Sequence, residues 1–342
     1  MSTILTRAHN ELFRREPDEH FGTMQELWQH CHEQKQRSTE RWHSPAALKA
    51  DASYGRLKLE LGGDGSYEPN EWSFGQLCRL AGVSKDTVNK VSADTAQRIF
   101  FETLPGDGKP LQFLTAGDEI RAVHQASYTR MFNVDLLTMV REFATDFRPP
   151  QEAAGGGTGL YCGEQDMFCF LIDPLGWAEI EGENFAPGFF IWNSEVGRRS
   201  VGVQTFWFQA VCQNHIVWDA VEVVDFSRKH TANVHDSISE IRRIILNLVE
   251  KRDERRDGFV KVIGRAMTER LGTDADEAMK VLQREGISRR LAEEALSIAE
   301  QRGALTIFSV VDALTRVAGH LNNAGDRTEL DTRAGRLLSM SV

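Results

Sequence analysis

Between Val201 and Val211 the chain is apolar on both faces of an extended strand. Phe206, Phe208, Ala210 and Cys212 fall on one side, and Val203, Thr205, Trp207 and Val211 on the other. A strand that borders water alternates apolar with polar residues, so this one is expected to run through a sheet covered on both faces. Twelve of the chain's 30 aromatic residues lie between Tyr161 and Trp218, which puts the core sheet in Leu160 to Phe226. Met167–Ile172, Phe189–Asn193 and Ile216–Val224 read as its other strands.

Both flanks read as helical. Phe21, Met24, Leu27 and Trp28 have helical spacing within residues 1–43. A strand is expected near 53–61, followed by the turn cluster Gly62–Ser66. Residues 73–104 form a helical unit, with segments 74–80, 85–91 and 95–104. Leu111–Leu114 and Ile120–His124 suggest a hairpin. Phe132, Leu136, Met139, Val140, Phe143 and Phe147 mark one more helix. After His230, Ile238, Ile241, Ile245, Leu248 and Val249 open a helical C-terminal part, and Ser288 caps a helix over 289–299. The expected class is α+β, an antiparallel sheet core flanked by N-terminal and C-terminal helical regions. The expected division is a mainly helical region 1–104, a core 105–232, a helical region 233–320 and a loosely held tail 321–342.

No apolar run approaches the roughly 18 residues of a membrane span, so a membrane partner is not expected. The N-terminus has no apolar leader region, and the five cysteines are scattered. Both features fit a reducing cytoplasm rather than a disulfide framework. The net charge of −10 argues against a surface that binds nucleic acid throughout. Residues 226–270 depart from it, with eleven Lys/Arg against seven Asp/Glu. Such a strip serves either a polyanion or a solvated helix face.

The phosphate loop, His-Glu-x-x-His, Gly-x-Ser-x-Gly and Cys-x-x-Cys motifs are all missing. Cys212, His215, His230 and His235 have no zinc-like spacing, and neither a metal nor a cofactor is expected. Leu77–Val91 has helix-turn-helix character: Gly82 makes the turn, Ser84 caps the second helix, and Lys85, Asn89 and Lys90 would face a duplex. The same pattern also serves as plain helix packing. The densest polar cluster is Asn193-Ser194-Glu195-Val196-Gly197-Arg198-Arg199, between two buried strands. Adjacent arginines there suit phosphate, and Arg228-Lys229-His230 forms a second basic joint. Glu195 with a nearby histidine is the one acid–base pairing to weigh. Trp192, Trp207 and Trp218 are candidate stacking platforms.

In order along the chain, Arg15-Glu16-Pro17-Asp18-Glu19-His20-Phe21, Arg121, Ser127-Tyr128 and Asn133-Val134-Asp135-Leu136-Leu137 are followed by Asn193–Ser200. Val211-Cys212-Gln213-Asn214, Arg228-Lys229-His230 and Val311–Arg316 complete the series. This pattern resembles a bacterial, phage and plasmid family described as domain of unknown function 932, or phage/plasmid-like protein. The resemblance implies a role on mobile elements in DNA replication, recombination or maintenance. It implies no catalytic residues.

The expected function is a non-catalytic accessory protein that binds nucleic acid, single-stranded DNA first of all; a self-assembling strand-annealing protein is one version of it. Asn193, Arg198, Arg199, Arg228, Lys229 and His230 are its expected contacts. An enzyme using Glu195 and a helix-turn-helix regulator using Lys85, Asn89 and Lys90 are the alternatives.

Overall fold

The computed structural model describes residues 11–52, 55–155, 158–210, 213–218 and 225–341. Strand β1 (Glu19–His20) precedes helix α1 (Met24–Arg37). Thr23 and Glu26 close a reciprocal cap on α1, each side chain accepting the other's backbone N–H. The helix expected to reach residue 43 ends at Arg37, and Ser38–His43 is strand β2. Its pairing along the strand Leu111–Ala116, from Ser38 opposite Ala116 to His43 opposite Leu111, overrides local helical tendency.

The chain continues through β3 (Leu48–Asp51), β4 (Lys58–Leu61) and β5 (Ser66–Pro69). Helices α2 (Glu71–Leu80), α3 (Lys85–Val88) and α4 (Ala93–Thr103) follow, then the hairpin β6 (Leu111–Ala116) and β7 (Glu119–Gln125). Asn70 caps α2, and Ser73 is its reciprocal partner three residues on. These strands form a sheet in the order β2-β6-β7-β5-β4-β3. Phe74, Phe100 and Phe113 sit fully buried between it and the helices. The region expected to be mainly helical is thus itself α+β. A boundary at residue 104 would cut its sheet, because the hairpin pairs backward with β2 and β5.

Next come α5 (Asn133–Phe143), α6 (Pro150–Ala153), β8 (Leu160–Cys162), β9 (Met167–Ile172) and β10 (Ala178–Ile180). They are followed by β11 (Glu183–Asn193), β12 (Val201–Gln209), β13 (Asn214–Ile216) and β14 (Asp225–Arg228). With β1 these strands form the central antiparallel sheet, ordered β1-β8-β9-β11-β12-β13, with β10 on β11 and β14 on β12. β12 is buried at every position from Val201 to Gln209. On one face Val203, Phe189 and Ile191 meet α1 and α5. On the other, Phe168, Phe170, Phe190, Phe206 and Phe208 form an aromatic layer. Val211, Cys212 and the last part of the strand expected at 216–224 lie outside the described residues.

Helices α7 (Asp236–Glu250), α8 (Arg252–Ala266), α9 (Ala275–Arg284), α10 (Arg289–Arg302), α11 (Ile307–Gly319) and α12 (Ala324–Arg336) complete the chain. Phe259 of α8 stacks on Trp207 of β12, with ring centroids 3.9 Å apart. The tail expected to be loose is α12, packed over the aromatic layer. Asp18 accepts the Ala324 N–H at 2.8 Å, and Arg327 donates to the Tyr161 hydroxyl at 2.8 Å. Its polar composition misleads because polar residues are buried with partners: Arg327 pairs with Asp331 and reaches Tyr161, beside the small residues Ala324, Gly325, Ala334 and Gly335. Among the described residues no helix is long and apolar enough to cross a membrane.

Candidate nucleic-acid interface

The turn between β11 and β12 is where the two sheets meet. Ser194 Oγ donates to the Gln165 carbonyl at 2.6 Å and accepts the Arg198 N–H at 2.8 Å. Gly197 has φ 76°, and a Cβ there would stand 2.5 Å from His124 Cε1, so both backbone and space require glycine. Residues far apart in the chain converge here: Arg121, Tyr128, Asn133, Asn193–Ser200 and His230 are all in contact with the turn or with one another.

Glu195 is a fastening between sheets. Its Oε2 accepts from Arg121 Nη1 of β7 at 2.8 Å, and its Oε1 accepts the Asn133 N–H at the start of α5 at 2.8 Å. Its carbonyl accepts from the Arg130 guanidinium and the Tyr128 hydroxyl. Its side chain is 1% exposed, with both oxygens engaged by donors that do not exchange protons near neutral pH. The geometry gives no support to Glu195 as an acid–base group. The nearby histidines are not its partners: His124 and His230 stack on Tyr128 at 3.7 and 5.3 Å. Burial pushes His124 down to about 3 and His230 down to about 4, with the Arg130 charge adding to both.

The expected nucleic-acid contacts therefore divide. Asn193 is fully buried, and its Nδ2 donates to the Met131 carbonyl at 2.9 Å and to Asn133 Oδ1 at 2.8 Å; it holds the core. His230 is buried and neutral, which removes it as an anion contact. Arg228 donates to the Asn233 carbonyl and pairs with Asp236. Lys229 is exposed. Arg198 is exposed and lies over the Trp72 ring at 5.9 Å. Arg199 spans Asp166 and Glu329, 2.8 Å from each, and lies over Phe168.

Arg199 stands on the wall of a groove of about 500 Å³ between the central sheet and α12. Trp192, with the edges of Phe168 and Phe190, forms the apolar floor. Ser200 of the turn, Gln204 of β12 and Ser227 of β14 supply polar groups, and Arg333 and Arg336 supply cations from α12. Trp192 lies flat across β12: a Cβ on its partner Gly202 would be 2.3 Å from the indole. Trp207 and Trp218 are core residues, so Trp192 alone of the three expected platforms reaches the groove. Thr332, Arg333 and Arg336 did not figure among the expected contacts. Thr328, Thr332 and Arg336 recur every four residues, the spacing of a single helical face, and that was the available signal.

The helix-turn-helix residues are otherwise engaged. The second helix is one turn, Lys85–Val88, too short to lie along a major groove. Lys85 pairs with Glu71. Asn89 is buried and exchanges two hydrogen bonds with the Phe13 backbone, at 2.8 and 2.9 Å. Lys90 alone of the three remains on the surface.

In the basic strip 226–270, Arg228 pairs with Asp236, Arg243 with Glu240, Arg252 with Asp173, and Arg256 with Asp253 and Asp257. His215 is packed 4.2 Å from Phe170, and burial holds it neutral; His235 is exposed at the start of α7. Cys212 lies outside the described residues. No cluster of three metal-ligating side chains occurs among the described residues.

A second cleft, about 570 Å³, opens between the two sheets and carries the opposite sign. Glu16, Glu19, Glu68, Glu119 and Glu164 line it, and burial pushes Glu164 up to about 7. Such a lining repels a polyanion.

Compared with protein-family models, with curated proteins and with solved structures, the chain matches none.

Proposed function

We propose that this protein binds single-stranded nucleic acid without catalysis, as an accessory factor that works in the cytoplasm and assembles with copies of itself to anneal strands. The observation that carries this reading is the groove under α12, which joins an indole to three arginines within one concave surface. Bases supply flat π-faces for Trp192, and phosphates supply acceptors for guanidinium groups. Arg336 is exposed and pairs with no carboxylate among the described residues, so its charge is available to a ligand. Arg199 is half-buried and held by Asp166 and Glu329, and it orients the wall. The resemblance to phage/plasmid-like proteins points in the same direction.

The test is fluorescence anisotropy of labelled single- and double-stranded DNA and RNA, titrated over salt. Salt-sensitive binding that favours single strands is expected. Absence of binding to all four at low salt would refute the reading, and preference for duplex would refute the strand assignment.

A further inference from the structure

The Ser194–Ser200 turn sends its two arginines to different places. Arg199 reaches the groove, while Arg198 reaches Trp72 on α2. Trp72 is rigidly held: its indole N–H donates to the Val196 carbonyl at 2.8 Å, and its backbone N–H donates to Glu164 at 2.7 Å. Arg79, two turns further along α2, brings a second guanidinium over the same ring at 5.5 Å. Both arginines are exposed, and neither has a carboxylate partner among the described residues.

Some exposed arginines find acids, as Arg98 does in Glu102, Arg243 in Glu240 and Arg289 in Glu293, and others such as Arg336 do not; Arg79 and Arg198 are set apart by sharing one indole. In a chain of net charge −10, two uncompensated guanidinium groups gathered on one fixed indole form a preorganised anion site. The ring attracts each cation through its face and leaves the N–H forks free to donate. Arg198 and Arg199 are neighbours in the Ser194–Ser200 turn, so a strand held by Arg199 has only that turn to cross to reach Arg198.

We infer that Arg79, Trp72 and Arg198 form a second phosphate subsite for a single-stranded polynucleotide, continuous with the groove across the Ser194–Ser200 turn. This rests on the single-strand reading and extends it from one contact to a path.

The experiment measures binding of a 20-nucleotide oligo-dT and of inorganic polyphosphate across a salt series. It compares wild type, the R79A/R198A double variant and the groove variant W192A/R336A. For oligo-dT the double variant should show a salt slope shallower by about 1.4, the value for two lost phosphate contacts on a single strand. An unchanged slope in the folded double variant overturns the subsite while leaving the groove reading intact. Polyphosphate binding lost in R79A/R198A and kept in W192A/R336A, with oligo-dT following the same pattern, upholds the subsite and removes the groove. Wild-type protein that binds neither probe overturns both.

Discussion

Glu195 Oε2 lies 2.8 Å from Arg121 Nη1, and this buried ion pair joins the loop after β11 of the central sheet to β7 of the N-terminal sheet. Glu195, which looks like site chemistry in sequence, serves instead with Arg121 to lock two layers together. The lock also positions the turn that carries Arg198 and Arg199, so stability and binding geometry share a single contact.

Removing one partner of this pair strands the other charge in a dry environment. Glu195→Ala is expected to lower the stability of the whole protein by ~3–5 kcal/mol, read as a drop in the urea midpoint. Arg121→Ala should cost a similar amount, and the double variant less than the two combined. A midpoint unchanged within error for either single variant would show that the sheets are held together by other contacts.

The groove makes a separable prediction. Trp192→Ala should weaken single-strand binding by ~1–3 kcal/mol through loss of one stacked base, with little effect on the salt slope. Arg336→Ala should reduce the slope by about 0.7. Equal effects of both variants on the slope would contradict the assignment of one to a base and the other to a phosphate.

Stability should fall with acid because of the stacked rings. His124 and His230 are held at about 3 and about 4 in the fold, below the ordinary histidine value of 6.5. Below pH 6.5 the unfolded chain takes up protons that the folded chain refuses, so their stabilising contribution, full above 6.5, declines as pH drops toward 4. Thermal melts from pH 7.5 to 4.5 should show Tm decreasing, and a His230→Phe variant should show a shallower decrease. A variant as acid-sensitive as the wild type would place the cause outside these rings.

Truncation tests the tail. A chain ending at Leu321 loses α12, exposing the Phe168–Phe170–Phe190 layer and leaving Asp18 and Tyr161 without their partners on that helix. The truncated protein should bind a hydrophobic dye or aggregate and lose cooperative unfolding. Wild-type melting would mean that α12 contributes nothing to the fold.

Sequence alone determined the parts whose physics is local or periodic. The two-faced apolar run Val201–Val211 required a covered central strand, and β12 is buried along its whole described length. The Gly117 turn required the β6–β7 hairpin, and regular apolar spacing required α5 and α7. The α+β class followed from that pattern. Tertiary structure decided what depends on partners distant in sequence. Ser38–His43 became a strand because β6 offered an unpaired edge. Residues 324–336 became a buried helix because Ala324 joins the aromatic layer, Arg327 pairs with Asp331 and reaches Tyr161, and Leu330 and Ala334 join the core around Trp207. The turn 193–199 was legible as the place where polar residues gather, but not what each would do. Glu195, Asn193 and His230 went inward because Arg121, Asn133 and Tyr128 met them there, while Arg198 stayed outside. Burial and pairing of a charge are set by the whole fold, and no spacing along the chain encodes them.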